Sequence, residues 1–335
     1  MATVLVTGYG GFLGSAITRR LLAAGFAVRG LARSAYPELA SQGVDAIRAD
    51  ITDRSALRAA VAGCDAIVHT AAMAGVWGVW RDYYRINTLA TSLLLEEAVA
   101  ARCPVFVHTS SPSVTFAARP QSGIDESAPY PTEWLCHYPH TKALAEQSVL
   151  ACGGSGALRS CALRPHLIWG KGDPHLMPRL VARAKSGKLR RVGSGTNRID
   201  VVHVDNAAQA HLLALRRLLD NDQAVNGQAF FITDGSPQEC WHWISQVLRA
   251  ADVAVPRRSI SYRMAYGLGA CLEMVYWAAG KRSEPPMTRF VAAQLALDHY
   301  FSIDKARRLL GYQPDQNQPR RLAECEPWLQ SGQTI

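Results

Sequence analysis

The first fourteen residues constrain the chain most. Thr3-Val4-Leu5-Val6-Thr7 is a short apolar run suited to a strand, Gly8-Tyr9-Gly10-Gly11-Phe12-Leu13-Gly14 follows at once, and Ser15 opens a helical stretch through Leu22. Strand, glycine turn and helix in that order suit a dinucleotide. Gly8 permits the tight turn out of the strand, Gly11 lets the backbone approach a pyrophosphate, and Gly14 lets the helix pack closely on the strand. The helix start, with Phe12 and Leu13, turns free N–H groups and a positive dipole end toward phosphates. The spacing Gly8-x-x-Gly11-x-x-Gly14 differs from the commoner G-x-G-x-x-G. Glycines also serve turns that bind nothing, but a clean strand before and a clean helix after favour a cofactor.

The Thr-Gly-x-x-Gly-x-x-Gly opening resembles the short-chain dehydrogenase/reductase superfamily, in particular its extended branch. The following residues continue in βα units. Strands are expected at 26–31, 44–48, 65–69, 105–109 and 158–163. Helices are expected from Thr52 or Asp53 to Ala62, and over 84–101 and 138–152. Such units imply an α/β fold, a doubly wound Rossmann parallel sheet with right-handed crossovers. After Arg164-Pro165 the pattern changes to helices 176–186, 206–219 and 238–251, with strands 198–204 and 228–233. We expect a dinucleotide-binding domain over 1–164. Residues 165–335 then form mainly a smaller substrate lobe, with some segments returning to the Rossmann core.

Composition narrows the classes. The chain has 335 residues, 48% hydrophobic and 19% charged, enough to bury a core. Net charge is +9. Such a surface suits nucleic acid, anionic lipid or acidic substrates. Without zinc-finger spacing or an RNA-binding aromatic signature, nucleic acid is the weakest of these. The eight cysteines (64, 103, 136, 152, 161, 240, 271, 325) form no C-x-x-C and read as reduced, buried thiols of a cytoplasmic protein. His137 and His140 lie three apart without an acidic or cysteine partner, so no metal is expected. The first strand begins at Thr3, so no signal peptide is expected ahead of it.

NAD-preferring dinucleotide proteins carry an acidic residue at the end of the second strand. Here the segment reads Gly30-Leu31-Ala32-Arg33-Ser34. Arg33 suits a 2′-phosphate and Ser34 can donate to it, which favours NADP(H), with NAD(H) the alternative and a solvated Arg33 the plain reading. Asp50-Ile51 resembles the superfamily's adenine-contacting pair. His69-Thr70-Ala71-Ala72 resembles its fourth-strand motif, with Ala71 and Ala72 lining the cofactor groove.

Tyr138-Pro139-His140-Thr141-Lys142 places tyrosine and lysine on one face of a helix start. A nearby ammonium lowers a phenol's pKa, making Tyr138 a proton donor or acceptor for an oxygen undergoing hydride chemistry. Strand five ends in His108-Thr109-Ser110-Ser111-Pro112-Ser113. By resemblance to extended members, Ser111 is the catalytic serine, with Ser110 and Ser113 as alternatives, and Thr109 touches the nicotinamide half. Lys142 and Tyr138 also reach the cofactor. Asn87 matches the asparagine of the family's proton-relay tetrad, or is an ordinary helix amide. Residues 164–170 resemble the segment that packs on the nicotinamide through Pro165 and Ile168. No Gly-x-Ser-x-Gly elbow is present, which excludes a serine-hydrolase reading.

Residues 74–87, 125–139, 197–206 and 300–314 resemble the 3β-hydroxysteroid dehydrogenase-like group. Within it, Gly-Val-Trp-Gly at 75–78 resembles bacterial 2-alkyl-3-oxoalkanoate reductases. The resemblance implies NADPH-dependent, reversible reduction of the 3-oxo group of a long-chain 2-alkyl-3-oxoalkanoate, in olefin or β-lactone biosynthesis. A 3β-hydroxysteroid or sterol dehydrogenase is the alternative. A nucleotide-sugar epimerase or reductase and a non-catalytic NADP-sensing regulator are further ones, though regulators lose the tyrosine or lysine. Residues 263–279, apolar after Arg263 except for Glu273 and followed by Lys281 and Arg282, are too short and interrupted to span a bilayer. They suit a core helix, the wall of an acyl channel, or a membrane or pathway-enzyme contact. Apolar faces at Leu89, Leu93, Leu94, Val99, Leu144, Val149 and Leu150 match the helices that pair in family homodimers, or simply cover the sheet.

Overall fold

The structure, a computed structural model, describes residues 1–331. Seven parallel strands form the main sheet: β1 (Thr3–Thr7), β2 (Ala27–Ala32), β3 (Asp45–Arg48), β4 (Ala66–His69), β5 (Val105–Thr109), β6 (Arg159–Pro165) and β7 (Gln228–Ile232). Their order is β7-β6-β5-β4-β1-β2-β3, a doubly wound Rossmann sheet. The chain builds outward from β1 to β3 and then turns the other way through β4. The carboxyl ends of β1 and β4 therefore diverge, leaving the crevice where such sheets bind ligands.

Alternation along each strand fills two cores. Val4 and Val6, Ala66 and Val68, and Val105 and Val107 face one side, while Leu5, Ile67 and Phe106 face the other. All nine are fully buried. Both faces being covered explains why these strands read as continuous apolar runs. Helices Phe12–Ala23 and Val204–Leu219 pack on the first side; Arg54–Val61 and Ala90–Ala100 pack on the second. Asp53 caps the Arg54 helix by accepting from the N–H groups of Ser55 and Ala56.

A third core, around Trp169, Met177, Trp241 and Trp243, belongs to the residues after β6. A small sheet joins Gln238–Glu239, Arg198–Ile199, His299–Phe301 and Gln121–Ile124.

Several expectations change. The first helix begins at Phe12 rather than Ser15, because Ser15 N–H bonds Gly11 C=O at 2.7 Å and closes the first turn early. The expected 198–204 strand is two short pieces in different sheets, Arg198–Ile199 and Val202–His203. Side chains take the backbone there: Asp200 accepts from Phe301 N–H at 2.8 Å and Asp234 from His203 N–H at 3.0 Å. The expected 84–101 helix is α over Trp80–Tyr83, π over Tyr84–Leu89 and α over Ala90–Ala100. Of the apolar residues expected on a pairing face, Leu94 and Val149 are fully buried against the sheet, whereas Leu89 and Val99 are exposed. Cys271 is exposed, unlike the buried thiols expected; all eight cysteines are free.

Helix Tyr262–Ala278 buries only Ala265 and Gly269, so it is not a core helix. Gly269 lies so close to the Thr288–Arg289 backbone that a Cβ would stand 2.7 Å from it. The helix's one carboxylate, Glu273, turns inward and takes Arg289 N–H at 2.7 Å and Nε at 2.6 Å. Met264, Leu268, Cys271 and Val275, on one helical stripe, turn outward. Among the described residues, no helix is long and apolar enough to cross a membrane.

Candidate active site

The groove at the divergence of β1 and β4 is lined by Gly8, Gly11, Phe12, Leu13, Gly14, Arg33, Ser34, Asp50, Ile51, Ala71 and Ala72. Gly8 leaves β1 at φ +70°, which an L side chain rarely adopts. A Cβ on Gly14 would sit 2.0 Å from Gly8 C=O, so helix and turn meet only because position 14 is glycine. This cradle fits a dinucleotide pyrophosphate against backbone N–H groups. The N–H and hydroxyl of Thr52 hold the Asp50 carboxyl below its ordinary range, with Arg33 and Arg85 adding to the effect. Arg85 and Tyr36 also line the groove, and the sequence reading missed both. Nothing local marked Arg85, which lies in the π-helical turn Tyr84–Leu89.

The second cluster stands at the carboxyl end of β5. Lys142 Nζ donates to Thr109 C=O at 2.6 Å and lies 3.2 Å from His108 Nε2. Burial lowers its pKa to about 7, partly opposed by Glu146. His108 is fully buried, its Nδ1 has no partner among the described residues, and burial beside Lys142 keeps it neutral. Ser111 opens the 3-10 turn Pro112–Thr115, shares a 2.9 Å hydrogen bond with the Ser113 hydroxyl, and stands near enough to the Tyr138 phenol to act on its pKa. The Ser110 hydroxyl is buried and has no partner among the described residues.

One electrostatic expectation is reversed. Burial raises the Tyr138 pKa and the nearby Ser111 hydroxyl only partly offsets this; the Lys142 ammonium is held by Thr109 and His108 and does not lower it.

Asn87 lies in the π turn. Its Oδ1 accepts from Met73 N–H at 2.7 Å, and its Nδ2 donates to Met73 C=O at 3.0 Å and Thr141 Oγ1 at 3.1 Å. The amide is thus saturated, tying the loop after β4 to the start of helix His137–Gly154. Thr91 bonds Asn87 C=O at 2.7 Å and His69 Nε2 at 2.9 Å, and His69 Nδ1 meets Thr7 Oγ1 at 2.7 Å. A buried hydrogen-bond chain therefore runs from the end of β1 to the Tyr138 helix. Pro165 ends β6 buried, and Ile168 pairs with Val202; neither lines the groove. Glu146, on the Tyr138 helix, holds Arg164 of β6 through a fully buried ion pair at 2.6 Å. Among the described residues, no group of three His, Cys, Asp or Glu side chains is placed to hold a metal ion.

Comparison with known proteins fits this geometry. Residues 5–262 match the 3-beta hydroxysteroid dehydrogenase/isomerase family. The chain is 43% identical to a 2-alkyl-3-oxoalkanoate reductase of Stenotrophomonas maltophilia, over 93% of this chain and 94% of that one. It is 41% identical to a protein of the same name from Shewanella oneidensis, over 92% and 81%. A 3-beta-hydroxysteroid dehydrogenase of Mycolicibacterium neoaurum is 32% identical over 98% and 91%. Among solved structures, the crystal structure of gox2253 superposes with a TM-score of 0.81 at 25% identity, covering both chains fully. MoeE5 in complex with UDP-glucuronic acid and NAD gives 0.74 at 25% identity, over 99% and 100%.

Proposed function

The chain belongs to the 3-beta hydroxysteroid dehydrogenase/isomerase family and is an oxidoreductase of hydroxyl and keto groups; from that premise we propose that it reduces the 3-oxo group of a long-chain 2-alkyl-3-oxoalkanoate with NADPH. The observation that carries this reading is Lys142 tied to the Thr109 carbonyl with Ser111 close to Tyr138, in a chain that has a glycine-lined dinucleotide groove and is 41–43% identical to proteins of that name.

The nicotinamide cofactor, when bound, supplies the hydride. The chain's own residues handle the oxygen. Ser111 and Tyr138 hydroxyls converge on it, Ser111 donating a hydrogen bond as charge develops. Tyr138 delivers the proton to the alkoxide. A phenol kept protonated by burial suits the reductive direction. Lys142 takes its place on the nicotinamide ribose and steadies Tyr138. Asn87 positions Thr141 and the helix start. Gly8 to Gly14 hold the pyrophosphate, Asp50 and Ile51 the adenine, Ala71 and Ala72 the groove wall, and Thr109 the nicotinamide side. Arg33 and Ser34 favour a 2′-phosphate, with Arg85 adding charge, which selects NADP(H) over NAD(H).

The 2-alkyl-3-hydroxy acid formed serves long-chain olefin or β-lactone formation in the cytoplasm. The protein acts as a homodimer through the face bearing Tyr84, Leu89 and Val99. The outward stripe of helix Tyr262–Ala278, with Arg257, Arg258, Arg263, Lys281 and Arg282 around it, rests on an anionic lipid surface. An assay with NADPH, then NADP, against a 2-alkyl-3-oxo or 3-hydroxy acid, a 3β-hydroxysteroid and a nucleotide sugar tests the substrate class. Preferential turnover of the steroid replaces this reading with the dehydrogenase of the M. neoaurum relative.

A further inference from the structure

The lobe beyond β6 holds an apolar cavity of about 230 Å³, walled by Leu167, Leu180, Trp243, Ile244, Phe290 and Leu295 among others. Two charged side chains reach it, Arg179 and Arg183, four residues apart on one face of helix Leu176–Lys185. One carboxylate serves both. Glu284, from the segment between helices Tyr262–Ala278 and Arg289–Ala296, hydrogen-bonds both terminal nitrogens of Arg179 and stands 3.9 Å from Arg183. The Arg183 guanidinium makes no hydrogen bond among the described residues, although it is largely buried. Burial and the neighbouring Arg179 both destabilise its charge. Two guanidinium groups against one carboxylate leave one positive charge, with an idle planar donor fork, on the wall of a greasy cavity. That combination fits an amphiphile with an alkyl chain for the cavity and an anionic head for the fork.

Two links run from the cavity wall and its arginine pair toward the segments that carry Ser111 and Tyr138. Phe290 packs edge-on against Phe116 at 5.8 Å, and Phe116 ends the turn that Ser111 opens. Glu284 is near enough to raise the pKa of Tyr83 and of Cys136, two residues before Tyr138.

We propose that this cavity is an alkyl-chain site and that Arg183, with Arg179, binds the carboxylate of an alkyl-chain acid there. The proposal rests on the reading of the substrate as a long-chain oxo acid and names the residues that recognise it. Glu284 occupies the arginine pair when no acid is bound and yields to it. Arg183 is then a specificity residue that touches the substrate head, not the reacting oxygen.

The test is binding, so it does not depend on turnover. Laurate is titrated into the full-length protein, with calorimetry as the readout and methyl laurate as the uncharged control. Wild type binds laurate more tightly than the ester. Arg183→Ala weakens laurate on the order of tenfold or more and leaves the ester unchanged, as expected for loss of a charge-assisted contact. Glu284→Gln, which removes the competing carboxylate, tightens laurate. Ile244→Trp fills the cavity and weakens both ligands, with NADPH binding retained as the check on folding. Equal affinity of wild type for acid and ester, or wild-type laurate binding in both Arg183→Ala and Ile244→Trp, overturns the proposal. Laurate binding as described in a protein that does not reduce the oxo acid leaves this site standing and removes the proposed reaction instead.

Discussion

Lys142 donates to the backbone carbonyl of Thr109 at 2.6 Å, which ties the helix carrying Tyr138 to the strand end carrying Ser111. This contact helps to fix the spacing of the two hydroxyls proposed to flank the substrate oxygen. The lysine is buried, and its pKa falls to about 7 because water cannot solvate the ammonium. The folded value lies below the ordinary 10.5, so between about 7 and 10.5 the unfolded chain binds the extra proton. Stability from this group therefore rises with pH across that window. Lys142→Met is expected to melt above wild type near pH 7, with the gap closing by about pH 10. Paired thermal melts over that range check it.

Asp200 behaves in the opposite sense. Burial, with Asp234 nearby, raises its pKa to about 7. The folded chain then binds the extra proton between 3.8 and about 7, so stability from this group falls as pH rises through that window. Asp200→Asn keeps an oxygen for Phe301 N–H and removes the charge. Its stability advantage over wild type is expected to grow from pH 5 to pH 8, read by urea unfolding at several pH values.

Arg33→Ala is expected to lower kcat/KM for NADPH on the order of ten- to a hundredfold while leaving NADH within a few-fold, the worth of a charge-assisted contact. Steady-state kinetics with both cofactors decide this. Equal losses for both place Arg33 outside the 2′-phosphate site.

Asn87→Ala leaves the half-buried Met73 backbone groups and Thr141 with missing partners. A loss of about 1–3 kcal/mol in unfolding free energy is expected, together with a lower kcat. Chemical denaturation and kinetics on one preparation separate the two effects.

Vesicle cosedimentation tests the outward stripe of helix Tyr262–Ala278, where Met264 is 66% exposed and Val275 57%. Binding to phosphatidylglycerol vesicles, lost with Met264→Ser/Leu268→Ser and weak on phosphatidylcholine, is the expected outcome. Concentration-dependent dimers broken by the same substitutions assign the stripe to a second copy.

What the sequence made legible was local. The strand, glycine turn and helix lie within 23 residues. Tyr138 and Lys142 share a helix face by spacing alone. What it hid depends on distant partners. Glu284 and Arg179 are 105 residues apart. The break in 198–204 follows from carboxylates bonding backbone groups across the lobe, and periodicity carries no trace of that. The outward apolar stripe was ambiguous for the same reason: an apolar run does not reveal whether its one carboxylate, Glu273, faces in or out.

Rates of NADPH oxidation with a long-chain 2-alkyl-3-oxoalkanoate, for wild type and Tyr138→Phe side by side, bear most directly on the proposed reaction. Turnover by wild type, reduced about 10²–10⁴-fold in a Tyr138→Phe protein that still folds and binds NADPH, is the predicted result. Equal rates for the two proteins, or no turnover by wild type, contradict it.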